Sequence, residues 1–199
     1  AQSRDVLQRM RVQQPEKAVN LYLIEGGLLG DASRRQEVVT LYTKALQAFP
    51  DNHDLLYARA LAAAEVGDLP LLEADLQRIL EEDPDHADAL NALGYTLADQ
   101  TDRQQEALVY ITRALELKPD NAAILDSMGW VQYRIGNYPE ALRYLRRANA
   151  MLPDAEIAAH LGEVLWVSGE REKARQVWSE ALERDPDSRH LLDVLKRFP

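Results

Sequence analysis

The sequence predicts an all-α fold, an α-solenoid of stacked helix pairs, from three features that recur along its 199 residues. A Pro-Asp pair returns at a nearly constant interval, the segments between the pairs have apolar residues at helical spacing, and three segments have a glycine near the middle. The pairs are Pro50-Asp51, Pro84-Asp85, Pro119-Asp120, Pro153-Asp154 and Pro186-Asp187, separated by 34, 35, 34 and 33 residues. A period this constant indicates a structural repeat.

Each repeat is predicted to contain two amphipathic helices. Gly67, Gly136 and Gly169 mark the turn between the two helices of their repeats. Proline follows the second helix, where its ring prevents the helix from continuing. We expect five such repeats, at residues 19–52, 53–86, 87–121, 122–154 and 155–188.

The two ends of the chain complete a single predicted array over residues 1–199. Residues 3–14 are expected to form a lone second helix, as in a chain cut inside a longer array, and residues 189–198 a terminal capping helix. Ser33 opens a Ser-Arg-Arg-Gln capping box that predicts a helix start. The pair Gly26-Gly27 lacks the lysine and preceding strand of a phosphate-binding loop, and it favours a softened helix or hinge.

The repeats resemble the tetratricopeptide (TPR) family, which has a 34-residue signature. The three best-matching blocks have a glycine in the first helix and alanines in the second: Gly94, Ala107 and Ala114; Gly129, Ala141 and Ala148; Gly162, Ala174 and Ala181. Small residues of this kind are expected where two helices cross closely. The resemblance implies a right-handed superhelix with a concave face built mainly from first helices.

TPR proteins bind extended peptides or partner helices in that concave groove, and the resemblance carries this role over to first-helix positions 2, 5, 9, 12 and 13 of each repeat in this chain. The candidate groove residues are Tyr57, Leu61 and Glu65; Asn91, Tyr95 and Asp99; Asp126, Trp130, Tyr133 and Arg134; and Glu163 and Trp166. We expect exposed aromatic rings with interspersed acids, a composition that suits an extended partner. Packing against the next repeat is the alternative for the aromatic series, whereas Trp178 is predicted to be structural.

Charge and composition limit the partners. The formal net charge is −10, and residues 51–120 have 5 basic against 16 acidic side chains. This acidity disfavours nucleic acid and anionic membrane surfaces and favours proteins with basic or mixed polar segments. Only Arg134 among the candidates is a cation, so capture of a chaperone C-terminal tail, which TPR domains perform with lysine and asparagine, is not expected.

No enzymatic, metal or cofactor site is predicted. The chain has no cysteine, and His53, His86, His160 and His190 form no metal-binding pair at the spacing of known motifs. Surface or helix-capping roles are expected for these histidines. A nucleophile with an adjacent base is not recognisable in the sequence.

The stretch from about residue 21 to 198 resembles the C-terminal half of bacterial outer-membrane TPR lipoproteins that act as adaptors of a periplasmic carboxyl-terminal processing protease. That resemblance implies a tether that binds the protease and its protein substrates at the periplasmic face of the outer membrane. Membrane attachment would come only from an upstream lipid anchor absent here, and a cytoplasmic location is not excluded. A generic scaffold in envelope assembly or secretion, and the TPR module of a larger enzyme, are the alternatives.

Overall fold

The protein is all-α. The structure, a computed structural model, describes residues 2–29 and 34–198, and within these ranges it contains twelve α-helices, one short 3-10 helix and no strand. The predicted fold class, an α-solenoid of helix pairs, is confirmed. The capping box predicted at Ser33 lies outside the described residues.

The helices alternate as first and second members of pairs. They are α1 (Gln2–Gln13), α2 (Ala18–Leu29), α3 (Arg35–Ala48), α4 (His53–Val66), α5 (Leu69–Glu82), α6 (Ala87–Gln100), α7 (Gln104–Leu117), α8 (Ala122–Arg134), α9 (Tyr138–Met151), α10 (Ala155–Val167), α11 (Arg171–Arg184) and α12 (Arg189–Arg197). The 3-10 helix, Pro15–Lys17, precedes α2.

The helices form two compact units, residues 1–89 and 90–199, with the boundary inside α6. We call them the N-terminal unit and the C-terminal unit. Each has its own buried apolar residues, including Leu55, Leu72 and Ile79 in the first and Leu125, Leu145 and Trp178 in the second.

Local sequence sets the ends of the helices. The side chains of Asn52, Asn121 and Asp154 accept hydrogen bonds from backbone N–H groups in the first turns of α4, α8 and α10. Gly67 and Gly136, in the turns after α4 and α8, have φ of 77° and 87°. This left-handed conformation strains residues with a Cβ atom, which explains the glycines at the predicted turns.

The first-helix glycines let two helices approach. A Cβ atom on Gly129 would lie 2.5 Å from Cγ of Leu145 and 3.2 Å from the carbonyl oxygen of Ala141. In the other repeats, Gly26 faces the ring of Tyr42, Gly94 faces Ile111 and Gly162 faces the ring of Trp178. The predicted close crossing is therefore present, with the second-helix side chain filling the space above the glycine.

Of the softened helix or hinge expected at Gly26-Gly27, the hinge is wrong, and the softened helix stays a prediction. Helix α2 continues without interruption from Ala18 to Leu29. Gly26 is small because a side chain there would overlap the Tyr42 ring, whereas a Cβ on Gly27 would meet nothing within 4 Å.

One buried and one partly buried charge replace leucine in the N-terminal unit. Glu25 and Arg59 occupy the first-helix register that holds Leu93 and Leu161 in later repeats. Glu25 lies 2.8 Å from Nε of Arg4 and 2.7 Å from Nη1 of Arg11. Burial alone would raise the pKa of Glu25, but the two guanidinium groups outweigh it and lower that pKa.

Arg59 donates two hydrogen bonds to the buried carboxylate of Asp75, of 2.7 and 2.6 Å, and a third of 3.2 Å to Thr43. Glu25 and Arg59 therefore each have an ionic partner on a neighbouring helix. Because a buried charge without its partner is costly, these pairs specify how the helices pack.

We expect Gly129→Leu to lower the free energy of unfolding by about 1–3 kcal/mol, because the added side chain overlaps Leu145 in a filled core. The matched control is Gly27→Leu, at an exposed helical glycine with open space around it. That control should be neutral or stabilising by up to about 1 kcal/mol through helix propensity. Urea unfolding followed by circular dichroism measures both, and equal stabilities of the two variants would contradict the close crossing.

Candidate functional site

The predicted groove residues lie on first helices in both units. Helix α4 of the N-terminal unit carries Tyr57, Leu61 and Glu65. In the C-terminal unit the candidates are Asn91, Tyr95 and Asp99 on α6, Asp126, Trp130, Tyr133 and Arg134 on α8, and Glu163 and Trp166 on α10.

The α4 candidates remain at the surface. Leu61 is 43% exposed, and Glu65 forms an exposed ion pair of 2.8 Å with Arg35. Tyr57 is half-buried, with its ring centroid 6.3 Å from that of His86. Leu61 thus presents an apolar side chain on the face where the resemblance places partner contacts.

The expected exposure is wrong for three candidates of the C-terminal unit. Asp126, Trp130 and Glu163 are 5%, 6% and 4% exposed. The indole Nε1–H of Trp130 donates a hydrogen bond of 3.1 Å to Asp99, and its ring stacks on His160 at 4.1 Å between centroids. Trp130 is buried because neighbouring first helices contact both its polar edge and its face.

His160 is not the surface or capping residue that the sequence suggested. It is buried on α10, with Nδ1 2.9 Å from Oδ2 of Asp126 on α8. Burial alone would lower the pKa of His160, but the carboxylate of Asp126, with smaller contributions from Glu156 and Asp99, outweighs burial and raises it. The structure thus favours a protonated imidazole in contact with Asp126.

Helices α6 and α10 also contact each other through Tyr95. Its hydroxyl donates a hydrogen bond of 3.0 Å to Glu156 of α10, and its ring centroid lies 6.0 Å from that of His160. Burial and the neighbouring carboxylates raise the pKa of Tyr95, so the phenol stays protonated and continues to donate. We call Tyr95, Asp99, Asp126, Trp130, Glu156 and His160 the polar cluster.

A second set of contacts surrounds the buried carboxylate of Glu163. The Tyr133 hydroxyl donates to it at 3.2 Å, and the Arg197 guanidinium of α12 donates two hydrogen bonds, of 3.2 and 2.6 Å. Burial and this carboxylate raise the pKa of Tyr133 to about 12. The capping helix is therefore attached to the candidate groove by a bidentate ion pair.

Trp166 packs against neighbouring side chains, which was the alternative to a role in lining the groove. Its ring centroid lies 5.8 Å from that of Trp178 and 6.0 Å from that of Phe198, and the guanidinium groups of Arg171 and Arg175 lie 5.2 and 4.9 Å from its ring centroid. Trp178, predicted to be structural, is fully buried.

Arg134 donates a 2.6 Å hydrogen bond to the carbonyl of Asp99.

Sequence reasoning missed Glu156 and His160 of the polar cluster. Glu156 lies at the second position of its repeat, one of the register positions that define the groove, so the same rule could have found it. His160 lies one residue after the next groove position, and no local signal distinguishes it from an apolar core residue.

The side chains of the polar cluster bond mainly to one another.

Among residues 2–29 and 34–198, no group of three or more histidine or acidic side chains is arranged to hold a metal ion. Within the same ranges, no helix combines the length and apolarity needed to cross a membrane. The buried Oδ1 atoms of Asn91 and Asp126 accept no hydrogen bond from the described residues.

Comparison with known proteins indicates the family of this chain. A family model described as a tetratricopeptide repeat matches residues 73–122 and 127–189, more than half of the chain. Over 157 residues the chain is 46% identical to the TPR repeat-containing protein PA4667 of Pseudomonas aeruginosa, an alignment that covers 79% of this chain and 27% of that protein. The chain spans between 20% and 33% of the length of the curated relatives it matches.

Solved structures share the fold. A thermophilic TPR protein, TTC0263 from Thermus thermophilus, superposes with a TM-score of 0.77 at 23% identity, covering 88% of this chain and 94% of that chain. A tetratricopeptide repeat protein from Parabacteroides merdae gives a TM-score of 0.77 at 19% identity, with 97% and 76% covered.

The His160–Asp126 pair predicts a pH dependence of stability. A pKa raised on folding stabilises the protein below the unfolded-state value, about 6.5 for histidine, and this contribution is lost as the pH rises through the folded-state value. We expect the free energy of unfolding to decrease, as the pH rises from about 6.5 into the mildly alkaline range, more steeply in the wild type than in His160→Gln. Urea titrations across this range measure it, with His190→Gln, an exposed histidine of α12, as the control. Parallel profiles for wild type and His160→Gln would contradict the assignment.

Proposed function

The chain belongs to the tetratricopeptide repeat family, and from this premise we propose that it is a non-catalytic scaffold that binds other proteins. The observation that carries the proposal is Leu61, an exposed apolar residue at a groove position in the middle of α4. An exposed apolar side chain on a rigid helix supplies contact area without a large ordering cost, which is what a docking position requires.

The finer proposal is an envelope adaptor. In this role one surface holds a carboxyl-terminal processing protease and another holds its protein substrates, so that the substrate concentration near the protease rises without chemistry in the adaptor. The resemblance to outer-membrane lipoprotein adaptors supports this assignment, and the 46% identity to a TPR repeat-containing protein of Pseudomonas aeruginosa supports a bacterial TPR scaffold. The proposed location is the periplasmic face of the outer membrane, reached through an anchor outside this chain.

A second candidate is a TPR module within a larger enzyme. It is favoured by the length of the curated relatives, of which this chain spans a third or less. The complete gene distinguishes the two candidates, because a lipid-attachment signal supports the adaptor and a catalytic domain supports the module.

Photocrosslinking tests the adaptor at the groove position. A benzophenone amino acid at position 61 should crosslink the processing protease or its substrate in envelope preparations. The same group at position 109, an exposed valine on second helix α7, should not. Equal crosslinking from both positions, or a crosslink to the protease only from position 109, would exclude the α4 face as the docking surface.

We further expect Leu61→Asp to weaken binding of the crosslinked partner about tenfold or more, because a charge replaces an apolar contact at the interface. Val109→Asp is the matched control, since Val109 is 68% exposed and lies outside the predicted groove. Calorimetric titration of the purified partner gives both affinities. Stability should be unchanged in each variant, because both side chains are exposed.

A further inference from the structure

One helical glycine of the N-terminal unit is explained neither by backbone conformation nor by packing within the described residues. The other described glycines either have positive φ or lie against a second-helix side chain: Gly67, Gly136 and Gly169 in the first group, and Gly26, Gly94, Gly129 and Gly162 in the second. Gly27 lies inside α2, where a Cβ atom on it would meet nothing within 4 Å. Because glycine weakens a helix relative to alanine, this position lowers helix stability without a packing benefit inside the described chain.

Large apolar side chains around Gly27 are exposed. Ile24 and Leu28, which share its face of α2, are 52% and 64% exposed. Leu61 of α4, 43% exposed, occupies the ninth position of its repeat, as Gly27 does, and α2 contacts α4. Register therefore places Leu61 beside Gly27 on neighbouring first helices. We call Gly27, Ile24, Leu28 and Leu61 the apolar notch.

Helical glycines elsewhere in this chain show what fits such a place. The ring of Tyr42 lies over Gly26, and the ring of Trp178 lies over Gly162. Gly27 offers the same room above the helix backbone, but it faces solvent. A leucine or phenylalanine side chain from another protein would bury apolar surface there at a rigid helix.

The charges beside the notch indicate a basic residue in the bound segment. The one carboxylate of α2, Glu25, is buried and already paired with arginine. On α4 the single arginine, Arg59, is held by Asp75, and the exposed charged side chains are the acids Asp54 and Glu65. Glu65 pairs with an arginine of α3, so Asp54 is the acid that a partner's lysine or arginine would meet.

We propose that the apolar notch binds an extended segment of a partner protein, with a leucine or phenylalanine over Gly27 and a lysine or arginine three or four residues away, near Asp54. Asp54 precedes Leu61 by seven residues, about 10 Å along α4, and three residues of extended chain span a similar length. The proposal rests on the scaffold function and names the chemistry of the segment that the scaffold holds.

The test uses the whole chain and defined peptides. The probe is acetyl-Gly-Lys-Ser-Ser-Phe-Gly-Ser-amide, and two control peptides replace its Phe by Ala or its Lys by Glu. A titration followed by NMR should give saturable shifts of the Gly27 backbone amide but not of Gly169, a turn glycine of the C-terminal unit. Each control peptide should bind about tenfold more weakly. No saturable shift at Gly27, or equal affinity for either control, would overturn the proposal.

Two variants separate binding from stability. Gly27→Leu fills the notch and should weaken binding of the probe peptide about tenfold or more, with unfolding stability unchanged or higher. Ala150→Leu adds a leucine at an exposed position of second helix α9 and should bind as the wild type does. Unchanged binding in Gly27→Leu would make softening of α2 the reason for the glycine and overturn the proposal, as would equal weakening in both variants.

Sedimentation of the free chain tests the other occupant. A dimer that Gly27→Leu dissociates would put a second copy of the chain, rather than a partner, on the notch and overturn the proposal. The crosslinking at position 61 is independent of these peptides. A crosslink to the protease or its substrate with a failed peptide titration would keep the scaffold and reject the notch. Saturable peptide binding without that crosslink would keep the notch and reject the protease adaptor.

Discussion

The fold depends on one repeated contact, the approach of a large second-helix side chain to a first-helix position that has no Cβ. At Gly129 the space that a methyl group would need is filled by Leu145, and at Gly162 it is filled by the Trp178 ring. Helices that cross this closely bury their apolar faces against each other. A single helix pair still leaves part of its apolar surface uncovered, and stacking on the neighbouring pairs buries that surface. The small first-helix residue is kept, whereas the second-helix residue that fills the space varies. The geometry of the helix pair is therefore constant, although the side chains in its core differ from repeat to repeat.

Constant pair geometry fixes which first-helix residues meet those of later repeats and of the capping helix, and the C-terminal unit uses these positions for polar contacts. His160 meets Asp126, Tyr95 meets Glu156, and Glu163 meets Arg197. Burying such groups has a desolvation cost that the pairing offsets, so their net effect on stability is smaller than their number suggests. The clearer effect of these contacts is to fix the register in which the helices pack, since sliding one helix by a turn would leave several charges buried without partners.

Periodicity and residue size were sufficient to predict the helix pairs, the turn glycines and the close crossings, because each depends on residues within one repeat. The burial of Trp130 and Glu163 was not predictable in the same way. Their exposure is decided by side chains from other repeats or from the capping helix, Asp99 and His160 for one and Arg197 for the other. Register identifies which residues face the groove, but only the packed structure shows whether their hydrogen-bonding groups are already used.

Pairing of polar groups also distinguishes positions that can serve a partner from those that hold the fold. A partner competing for the Glu163 carboxylate must displace an intramolecular bidentate arginine, and one competing for Trp130 must unstack a buried ring. Leu61 carries no such intramolecular cost, because its apolar side chain is 43% exposed and has no hydrogen bond or ion pair to give up. Affinity is what the new interactions contribute beyond the cost of breaking existing ones and of ordering mobile groups. On that criterion the exposed Leu61 would cost a partner less to contact than the buried Trp130, although the sequence draws attention first to the aromatics.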